Sequence, residues 1–321
     1  MEYIAILTGG DSAEYEISLL SANTVLQHLD PELFKGYIVH LKDNVFTVII
    51  NNQSIAIDKT NFSFNYNNKK IKLEKVFMAL HGPPAENGLI QPYFDNLNIA
   101  YTSSDSAVSS LTFDKYKCNA NLTELGFKCA ISYLYHKGDT IDKQLIIDTV
   151  QLPCFVKPNG AGSSFGITKV KEKKDLVNAI NNALLHDNKV LIEQFINGTE
   201  VSCGVFFDGE QIKSLPITEI VSENDFFDYQ AKYEGKSKEI TPARINSAIT
   251  KKTQNTTINI YKKMKLRGIC RVDYIIMNDI PYIIEINTIP GLSEESIIPQ
   301  QFKSSKLKLS KIFEICLLNT K

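Results

Sequence analysis

The chain has 321 residues, 43% of them hydrophobic and 22% charged, with a formal net charge of -1 at pH 7. This length allows two or three packed domains, and the composition is typical of a globular protein. A net charge near zero gives no basic face for nucleic acid. We find no signal peptide and no apolar run that could cross a bilayer, so we expect a cytoplasmic protein that does not bind membranes.

The first hundred residues alternate short apolar runs with turns. The run Tyr3–Thr8 ends at Gly9-Gly10, and apolar positions at helical spacing follow as far as Leu29. This pattern predicts a strand, a glycine turn and a helix, the opening of an α/β unit. A surface hairpin is predicted at Asn61–Lys72, and further strands at Gly36–Leu41, Val45–Ile50, Ser54–Ile57 and Val76–Leu80.

Two more units follow. The second contains a helix from about Ser104 to Leu125, a later helix at Lys174–Leu185, and strands at Cys154–Lys157, Ile167–Val170 and Val190–Phe195. The third contains strands at Glu200–Phe207 and Gln211–Val221, a helix at about 245–265, a strand pair flanking Asn278-Asp279, and two closing helices. We divide the chain into residues 1–103, 104–192 and 193–321, three units typical of a multi-lobed enzyme.

The six cysteines are scattered and form no C-x-x-C pair. This spacing argues against a zinc site or a disulfide framework and suits a reducing compartment. We expect all six to be buried structural residues.

The most informative segments are Arg271-Val272-Asp273 and Glu285-Ile286-Asn287, on either side of a predicted hairpin. Alternate residues of a strand share a face, and a three-residue turn would place Asp273 opposite Glu285. Two carboxylates and an amide oxygen suit Mg²⁺, and a nearby arginine stabilises a transferring phosphoryl group. A buried ion pair between Arg271 and Asp273 is the alternative, but it leaves Glu285 and Asn287 unexplained in an apolar strand. We favour a metal site.

A second segment, Phe155–Pro158, is a strand that presents Lys157 just before the glycine-rich stretch Asn159–Gly166. Backbone N–H groups of such a stretch can approach phosphate oxygens. The spacing G-x-G-x-x-x-G fits neither the dinucleotide fingerprint nor the P-loop. Alone, the segment fits a surface hairpin equally well.

Weaker signals have ordinary structural alternatives. Glu193 ends an apolar strand and could face adenine and ribose, or only solvent. The polar stretch Phe226–Arg244 is typical of a mobile lid, or of a disordered loop. Gly9-Gly10 lacks the third glycine of a Rossmann motif, and a single histidine such as His81 is most often structural.

Together these segments resemble the D-alanine–D-alanine ligase family of the ATP-grasp superfamily, in order and over essentially the whole chain. The matching segments are Gly9–Ser18, His81–Gly88, Phe113–Lys115, the Lys157 loop, Glu193–Ile196, Asp228–Tyr233, Arg271–Asp273, Glu285–Asn287 and Pro290–Ser296. The resemblance implies an α/β ATP-grasp fold with an N-terminal Rossmann-like pre-ATP-grasp domain. It also implies ATP between the second and third lobes, and a lid at about 222–244.

The resemblance further implies the residues that hold ATP and metal. The nucleotide would be bound by Lys115, Lys157, Glu193, Phe195, Ile196, Glu200 and, on the lid, Lys232. Two Mg²⁺ ions, or Mn²⁺ in their place, would be bound by Asp273, Glu285 and Asn287.

For the amino-acid substrates, the resemblance implies that Glu14 holds the ammonium of the first D-alanine, near His81. Ser163 and Tyr233 would link Glu14 to the lid, and Ser296 would bind the carboxylate of the second D-alanine. The tetrahedral oxyanion would be stabilised by Arg271 and the Gly291 N–H.

The implied activity is ATP-dependent ligation of two D-alanines through an acyl phosphate, in a homodimer that supplies peptidoglycan precursors. The pair Lys232-Tyr233 is that of the dipeptide-forming members. The family usually has Gly-Glu-Asp-Gly where this chain has Ala85–Gly88, which leaves the geometry of that loop undetermined. Two alternatives stay open: a ligase for another amino acid, and a nucleotide sensor or scaffold without turnover.

Overall fold

The computed structural model describes residues 1–51, 53–162, 166–222 and 237–320. Three mixed α/β units follow one another along the chain, each built on its own main sheet. No helix in these ranges is long and apolar enough to span a membrane. Five of the six cysteines are buried, as expected, and Cys129 is half-buried.

The first unit is a six-stranded sheet with strand order β4-β3-β2-β1-β7-β8. Its strands are β1 (Glu2–Gly9), β2 (Phe34–Lys42), β3 (Val45–Ile50), β4 (Gln53–Ala56), β7 (Lys75–Met78) and β8 (Ala100–Tyr101). The four strands β2, β1, β7 and β8 are parallel. The predicted hairpin is the separate pair β5 (Ser63–Tyr66) and β6 (Lys69–Lys72).

Strand β1 ends at a turn that only glycine can make. Gly9 and Gly10 have φ of 96° and 89°, and a Cβ on Gly9 would lie 2.6 Å from the Leu41 carbonyl oxygen. The turn directs the chain to Glu14, the residue that precedes helix α1 (Tyr15–His28). Glu14 therefore lies beyond the carboxyl end of the central strand, where open α/β sheets place ligands.

The second unit is an antiparallel sheet with strand order β11-β10-β12-β9. Its strands are β9 (Ser132–His136), β10 (Cys154–Pro158), β11 (Thr168–Val170) and β12 (Lys189–Gln194). Helices α5 (Lys143–Val150) and α6 (Leu176–Ala183) pack on it and, with it, enclose a separate hydrophobic core. The predicted division after residue 192 falls inside β12, and the domain boundaries remain a prediction.

The third unit is a sheet with strand order β16-β15-β13-β17-β18, with β14 paired to β13. Its strands are β13 (Thr199–Phe207), β14 (Ile212–Ser214), β15 (Thr218–Ser222), β16 (Ser237–Ile240), β17 (Cys270–Met277) and β18 (Ile280–Asn287). The single strand predicted at Gln211–Val221 is wrong, because Pro216 separates β14 from β15.

The remaining helices are α2 (Gln91–Asn96), α3 (Ser106–Phe113), α4 (Lys115–Glu124), α7 (Ser247–Lys263), α8 (Ile297–Ser304) and α9 (Leu309–Leu318). Of these, α3 and α4 lie between the first and second units, and the others lie within the first or third unit or after the last strand of the third. The one helix predicted over Ser104–Leu125 is wrong, since Asp114 is extended and caps the N-terminus of α4. That break turns Lys115 toward the glycine-rich segment.

One hydrophobic core is shared by the first and third units. It joins Ile4 and Ile6 of β1 to Phe302 of α8 and Phe313 of α9. Each of these side chains is at most 1% exposed. The last two helices therefore hold the third sheet against the first.

Candidate active site

The three units meet around a cavity of about 470 Å³. The first unit contributes Glu14 and His81, and the third contributes side chains of β17 and β18. The second contributes Lys157, Glu193 and neighbours. All the proposed site residues that the structure describes, except Phe195, line this one cavity.

The β17–β18 hairpin brings four polar side chains to one face. Asp273 lies opposite Glu285, and Arg271 lies opposite Asn287. The predicted pairing is therefore confirmed, but the three-residue turn is wrong. The turn is the two-residue Asn278-Asp279, and a bulge beside Asp273 supplies the residue that restores the register.

Charge within this hairpin is closely paired. The Arg271 guanidinium donates two hydrogen bonds to Asp273, at 2.9 Å from Nε and 2.7 Å from Nη2, and lies 4.0 Å from the Glu285 carboxylate. Ser202 also donates to Asp273. The alternative of an Arg271–Asp273 ion pair thus does occur, but it accounts for only half of the cluster.

Contacts within the described part of the chain do not satisfy every polar atom of this cluster, as Asn287 shows. Its Oδ1 atom is buried and accepts no hydrogen bond from any residue that the structure describes. An unsatisfied buried acceptor costs about 1–3 kcal/mol, so it is an acceptor suited to an added cation or donor. The described residues hold no group of three or more His, Cys, Asp and Glu side chains placed for a metal. The candidate donor set is instead two carboxylates and this amide.

Lys157 and Glu193 form a buried ion pair on the second sheet. The Lys157 Nζ and Glu193 Oε2 atoms are 2.5 Å apart, and each side chain is less than 10% exposed. Asn119 of α4 donates to the other Glu193 oxygen at 2.8 Å. Glu193 therefore does not face solvent, and its charge is balanced where Lys157 enters the cavity.

Beyond this pair, the second sheet and β13 present a mixed apolar and acidic wall. Ile196 is buried, and Glu200 lines the cavity beside Ile275. The Phe195 ring packs against Phe155, with the Lys169 ammonium 4.0 Å from its centroid. An apolar wall that ends in a carboxylate suits a base and its ribose.

The glycine-rich segment is anchored at its start by Asn159. The Asn159 side chain accepts from the Tyr116 N–H at 2.9 Å and donates to Asp114 at 2.8 Å. Farther on, Lys115 donates to the Ala161 carbonyl at 2.7 Å. Sequence reasoning missed Asn159, whose only signal was its position next to the strand that carries Lys157.

Glu14 is enclosed by two glycines from different units. A Cβ added to Gly82 or to Gly162 would each lie 2.9 Å from a Glu14 carboxylate oxygen. Both positions therefore need a residue without a side chain for Glu14 to occupy its place. The first sheet and the glycine-rich segment thus converge on one carboxylate.

His81 is 3% exposed and both its ring nitrogens are bonded to protein. Nδ1 lies 2.7 Å from the Ile289 carbonyl oxygen and Nε2 lies 2.8 Å from the Ser21 hydroxyl. Burial lowers the pKa of His81, and the nearby Glu14 carboxylate only partly opposes that shift. A neutral imidazole follows.

Gly291 and Ser296 are neighbours at the opposite wall. A Cβ on Gly291 would lie 2.7 Å from the Ser296 hydroxyl oxygen, so the close approach requires glycine. Ser296 is also hydrogen-bonded to Ser293 at 2.7 Å. The predicted residues Ser163, Lys232 and Tyr233, and most of the predicted lid, lie outside the described residues.

Three carboxyl groups of the cavity, Glu86, Glu239 and Glu295, were absent from the predicted site, and two of them have raised pKa values. Burial and the like charge of Glu14 raise the pKa of Glu86 well above its ordinary value. Burial also raises the pKa of Glu239, against the opposing effect of a hydrogen bond from Gln300 at 2.7 Å. In the sequence, only its place in the Ala85–Gly88 departure distinguishes Glu86 from other carboxylates. Ala85 itself is not at positive φ, unlike Gly82 and Gly88, so alanine fits there.

Solved structures identify the class of protein. VanG D-Ala:D-Ser ligase from Enterococcus faecalis matches with a TM-score of 0.86 at 29% identity, over 98% of both chains. D-alanyl-alanine synthetase A from Vibrio cholerae matches with a TM-score of 0.89 at 23% identity, over 99% of this chain and 98% of that one. The protein has the ATP-grasp fold, with an N-terminal α/β domain before it.

Matches to family models and to related sequences identify the family within this class of protein. The model for the D-ala D-ala ligase N-terminus matches residues 3–104, and that for its C-terminus matches residues 122–317. A D-alanine–D-alanine ligase of Flavobacterium johnsoniae is 49% identical over 98% of this chain and 97% of its own length. One from Christiangramia forsetii is 45% identical over 97% and 95%. The chain belongs to the D-alanine–D-alanine ligase family.

Proposed function

We propose that the protein joins two molecules of D-alanine, with ATP as phosphoryl donor and with release of ADP and phosphate. A carboxylate is a poor electrophile, so its conversion to D-alanyl phosphate makes it reactive toward an amine. The amine of the second D-alanine then attacks the acyl carbon, and phosphate leaves. The product supplies peptidoglycan precursors. The observation that carries the proposal is the convergence of Lys157, Glu14 and the β17–β18 carboxylates on one cavity.

ATP is held between the second and third sheets. Lys157, paired with Glu193, and Lys115, at the start of α4, provide positive charge for the phosphates. The cavity wall made by Ile196 and Glu200, next to Phe195, takes adenine and ribose in this proposal. Lys232 adds a further cation in this assignment.

Asp273, Glu285 and Asn287 are proposed to hold two Mg²⁺ ions, which Mn²⁺ can replace. Their oxygen donors fit a hard cation, and the unsatisfied Asn287 Oδ1 fits a ligand in particular. Bound Mg²⁺ would neutralise negative charge on the phosphates. Before any ion binds, Arg271 balances the Asp273 charge.

The amino-acid substrates take the remaining walls. Glu14 is held between Gly82 and Gly162 and binds the ammonium of the first D-alanine. Arg271 and the Gly291 N–H stabilise the oxyanion that forms at its acyl carbon. Ser296 binds the carboxylate of the second D-alanine. Ser163 and Tyr233 are assigned the hydrogen-bonded link from Glu14 to the lid proposed at about 222–244, which would close over the acyl phosphate.

A cytoplasmic location and a homodimer complete the proposal. Both are those of the family that the sequence resembles, and both can be checked directly. Light scattering of the purified protein would give twice the mass of one chain if the dimer is right. A monomer at working concentration would rule out that part alone.

The test is phosphate release from ATP with Mg²⁺ and D-alanine, with mass identification of the product. D-serine, D-lactate and other amino acids are each supplied in parallel, alone and with D-alanine. We expect D-alanyl-D-alanine as the main product and no turnover without Mg²⁺. A different main product would favour a ligase for another acceptor, and ATP binding without turnover would favour a nucleotide sensor.

A further inference from the structure

The His81 ring belongs to a relay of buried hydrogen bonds between the first and third units. This relay consists of Ser21, His81, Ile289 and Leu292. The Leu292 N–H donates to the Ser21 hydroxyl oxygen at 3.0 Å, and that hydroxyl lies 2.8 Å from His81 Nε2. His81 Nδ1 lies 2.7 Å from the Ile289 carbonyl oxygen. Each of these four residues is 3% exposed or less.

Chemistry fixes which group donates in every hydrogen bond of this relay. A carbonyl oxygen can only accept, so His81 Nδ1 must carry a hydrogen and donate to Ile289. In the neutral ring Nε2 then has no hydrogen and accepts from the Ser21 hydroxyl. Ser21 in turn accepts the Leu292 N–H on its oxygen. Every donor in the relay has an acceptor, and His81 has no ring nitrogen left for a substrate.

Two more serines attach the His81 backbone to the segment that carries Glu14. The His81 N–H donates to the Ser18 hydroxyl at 2.9 Å, and Ser18 donates to the Glu14 carbonyl at 3.0 Å. The Glu14 N–H donates to the Ser12 hydroxyl at 3.2 Å, and Ser12 donates to the His81 carbonyl at 3.3 Å. Two pairs of hydrogen bonds therefore tie Glu14 and His81 to each other.

The relay spans the distance between the two ends of the first D-alanine in the proposed function. Ile289 and Leu292 flank Gly291, whose N–H faces the acyl carbon in the proposed function. Glu14 faces the ammonium. The relay is thus the set of contacts that fixes the separation between an ammonium site and an oxyanion site carried by different units.

We propose that Ser21 is a positioning residue of the ligation reaction, which acts through His81 to hold the Ile289–Leu292 segment in register with Glu14. His81 then serves as a rigid connector and not as a ligand of D-alanine. The expected kinetic effect rests on the proposed function. The role of His81 as a connector between the two units does not.

The kinetic test compares Ser21→Ala with Thr24→Val. Both variants lose a buried hydroxyl from α1, but within the described ranges the Thr24 hydroxyl bonds only to the Leu20 carbonyl of its own helix, at 3.1 Å. We expect Ser21→Ala to lower kcat by roughly tenfold to a hundredfold, since small misplacements of reacting groups have effects of that size. The Kd for ATP should stay unchanged, and Thr24→Val should match the parent in both constants. Equal kcat in Ser21→Ala and the parent would overturn the proposal.

The second test reads the ring directly and needs no activity. Nitrogen NMR of ¹⁵N-histidine-labelled protein, assigned with a His81→Gln variant, should show His81 as the neutral Nδ1–H form. Its ring signals should not shift when D-alanine is added without ATP. An Nε2–H form, or a D-alanine-dependent shift of a ring nitrogen, would overturn the inference even if Ser21→Ala fails to fold. If the protein ligates other substrates, the ring result still decides the connector role.

Discussion

The two sides of the cavity are built in different ways. On one side, Arg271, Asp273, Glu285 and Asn287 belong to a single hairpin, and backbone register alone aligns them. On the other, Glu14, His81 and Gly291 come from distant parts of the chain and are aligned by short side chains such as Ser21. The hairpin side is local and charged. The relay side is non-local and, apart from Glu14, neutral.

This difference suits the groups that each side would bind. Highly charged phosphates and cations need several fixed charges, and adjacent strands place these at short spacing. A small zwitterion between two separate units needs an accurate distance instead. Buried hydrogen bonds give that accuracy only when every donor and acceptor is paired. Substitutions on each side would distinguish these two kinds of construction.

The largest effect is expected on the hairpin side. Glu285→Ala should reduce turnover by more than about 100-fold, because it removes one of two carboxylates from the proposed metal site. Phosphate release with saturating Mg²⁺ and D-alanine measures the loss. Glu210→Ala, an exposed position between β13 and β14, should behave like the parent. Near-parent turnover in Glu285→Ala would remove Glu285 from the metal site.

A smaller effect is expected on the relay side, where Glu14 meets the glycine-rich segment of the second unit. Gly162→Ala places a Cβ 2.9 Å from the Glu14 carboxylate, without positive φ to strain the backbone. We expect the KM for D-alanine to rise by about tenfold as the carboxylate is displaced, an effect of about 1.4 kcal/mol on binding.

The matched comparison for that variant is Gly160→Ala, in the same segment but next to Asp187 and Phe113. Its KM for D-alanine should be unchanged. Equal KM values for the two variants would show that Glu14 does not bind the ammonium, or that the segment moves freely away from it.

The variant Asn287→Leu tests whether Asn287 is a metal ligand or a residue that mainly stabilises the fold. The change removes an unsatisfied buried acceptor, so the melting temperature without metal should stay the same or rise by a few degrees. The added stabilisation by Mg²⁺ and ATP should shrink, because tighter ligand binding gives a larger shift. Thermal melts with and without both ligands measure this. A lower melting temperature without ligands would mean that Asn287 is mainly structural.

The smallest effect concerns Glu86. A carboxyl group with a raised pKa keeps its proton in the folded state, so folding is disfavoured as pH rises through that pKa. Glu86→Gln removes this penalty and should raise the melting temperature at pH 8 by about 2–4 °C. The gain should disappear on acidification to pH values below the ordinary carboxyl pKa. A gain that is the same at both pH values would point to packing instead of charge.

The sequence allowed the hairpin side to be predicted because strand periodicity is a local property. Arg271, Asp273, Glu285 and Asn287 were expected on one face, and they are. The bulge was not foreseen, since it depends on how β17 packs between β13 and β18. Nor was the break at Asp114, where a capping aspartate overrides a continuous helical pattern.

The relay side could not be read in the same way. Ser12, Ser18 and Ser21 look like ordinary polar positions at the start of a helix, and each has its His81 partner 60 or more residues away. His81 was assigned to the substrate from family resemblance, a role that stays a prediction and that the relay argues against. Glu86 could not be ranked from sequence, because its pKa depends on burial and on Glu14.

The hydrophobic cores indicate which units of the enzyme can move relative to one another. Ile4 and Ile6 of the first sheet share a core with Phe302 and Phe313 near the C-terminus, whereas the second sheet and its helices have one entirely their own. A swing of residues 132–194 away from the rest would therefore expose no shared core. We expect the first and third units, which share a core and would carry the proposed amino-acid sites, to stay together, and the second sheet, which would carry the nucleotide, to be the part that moves relative to them.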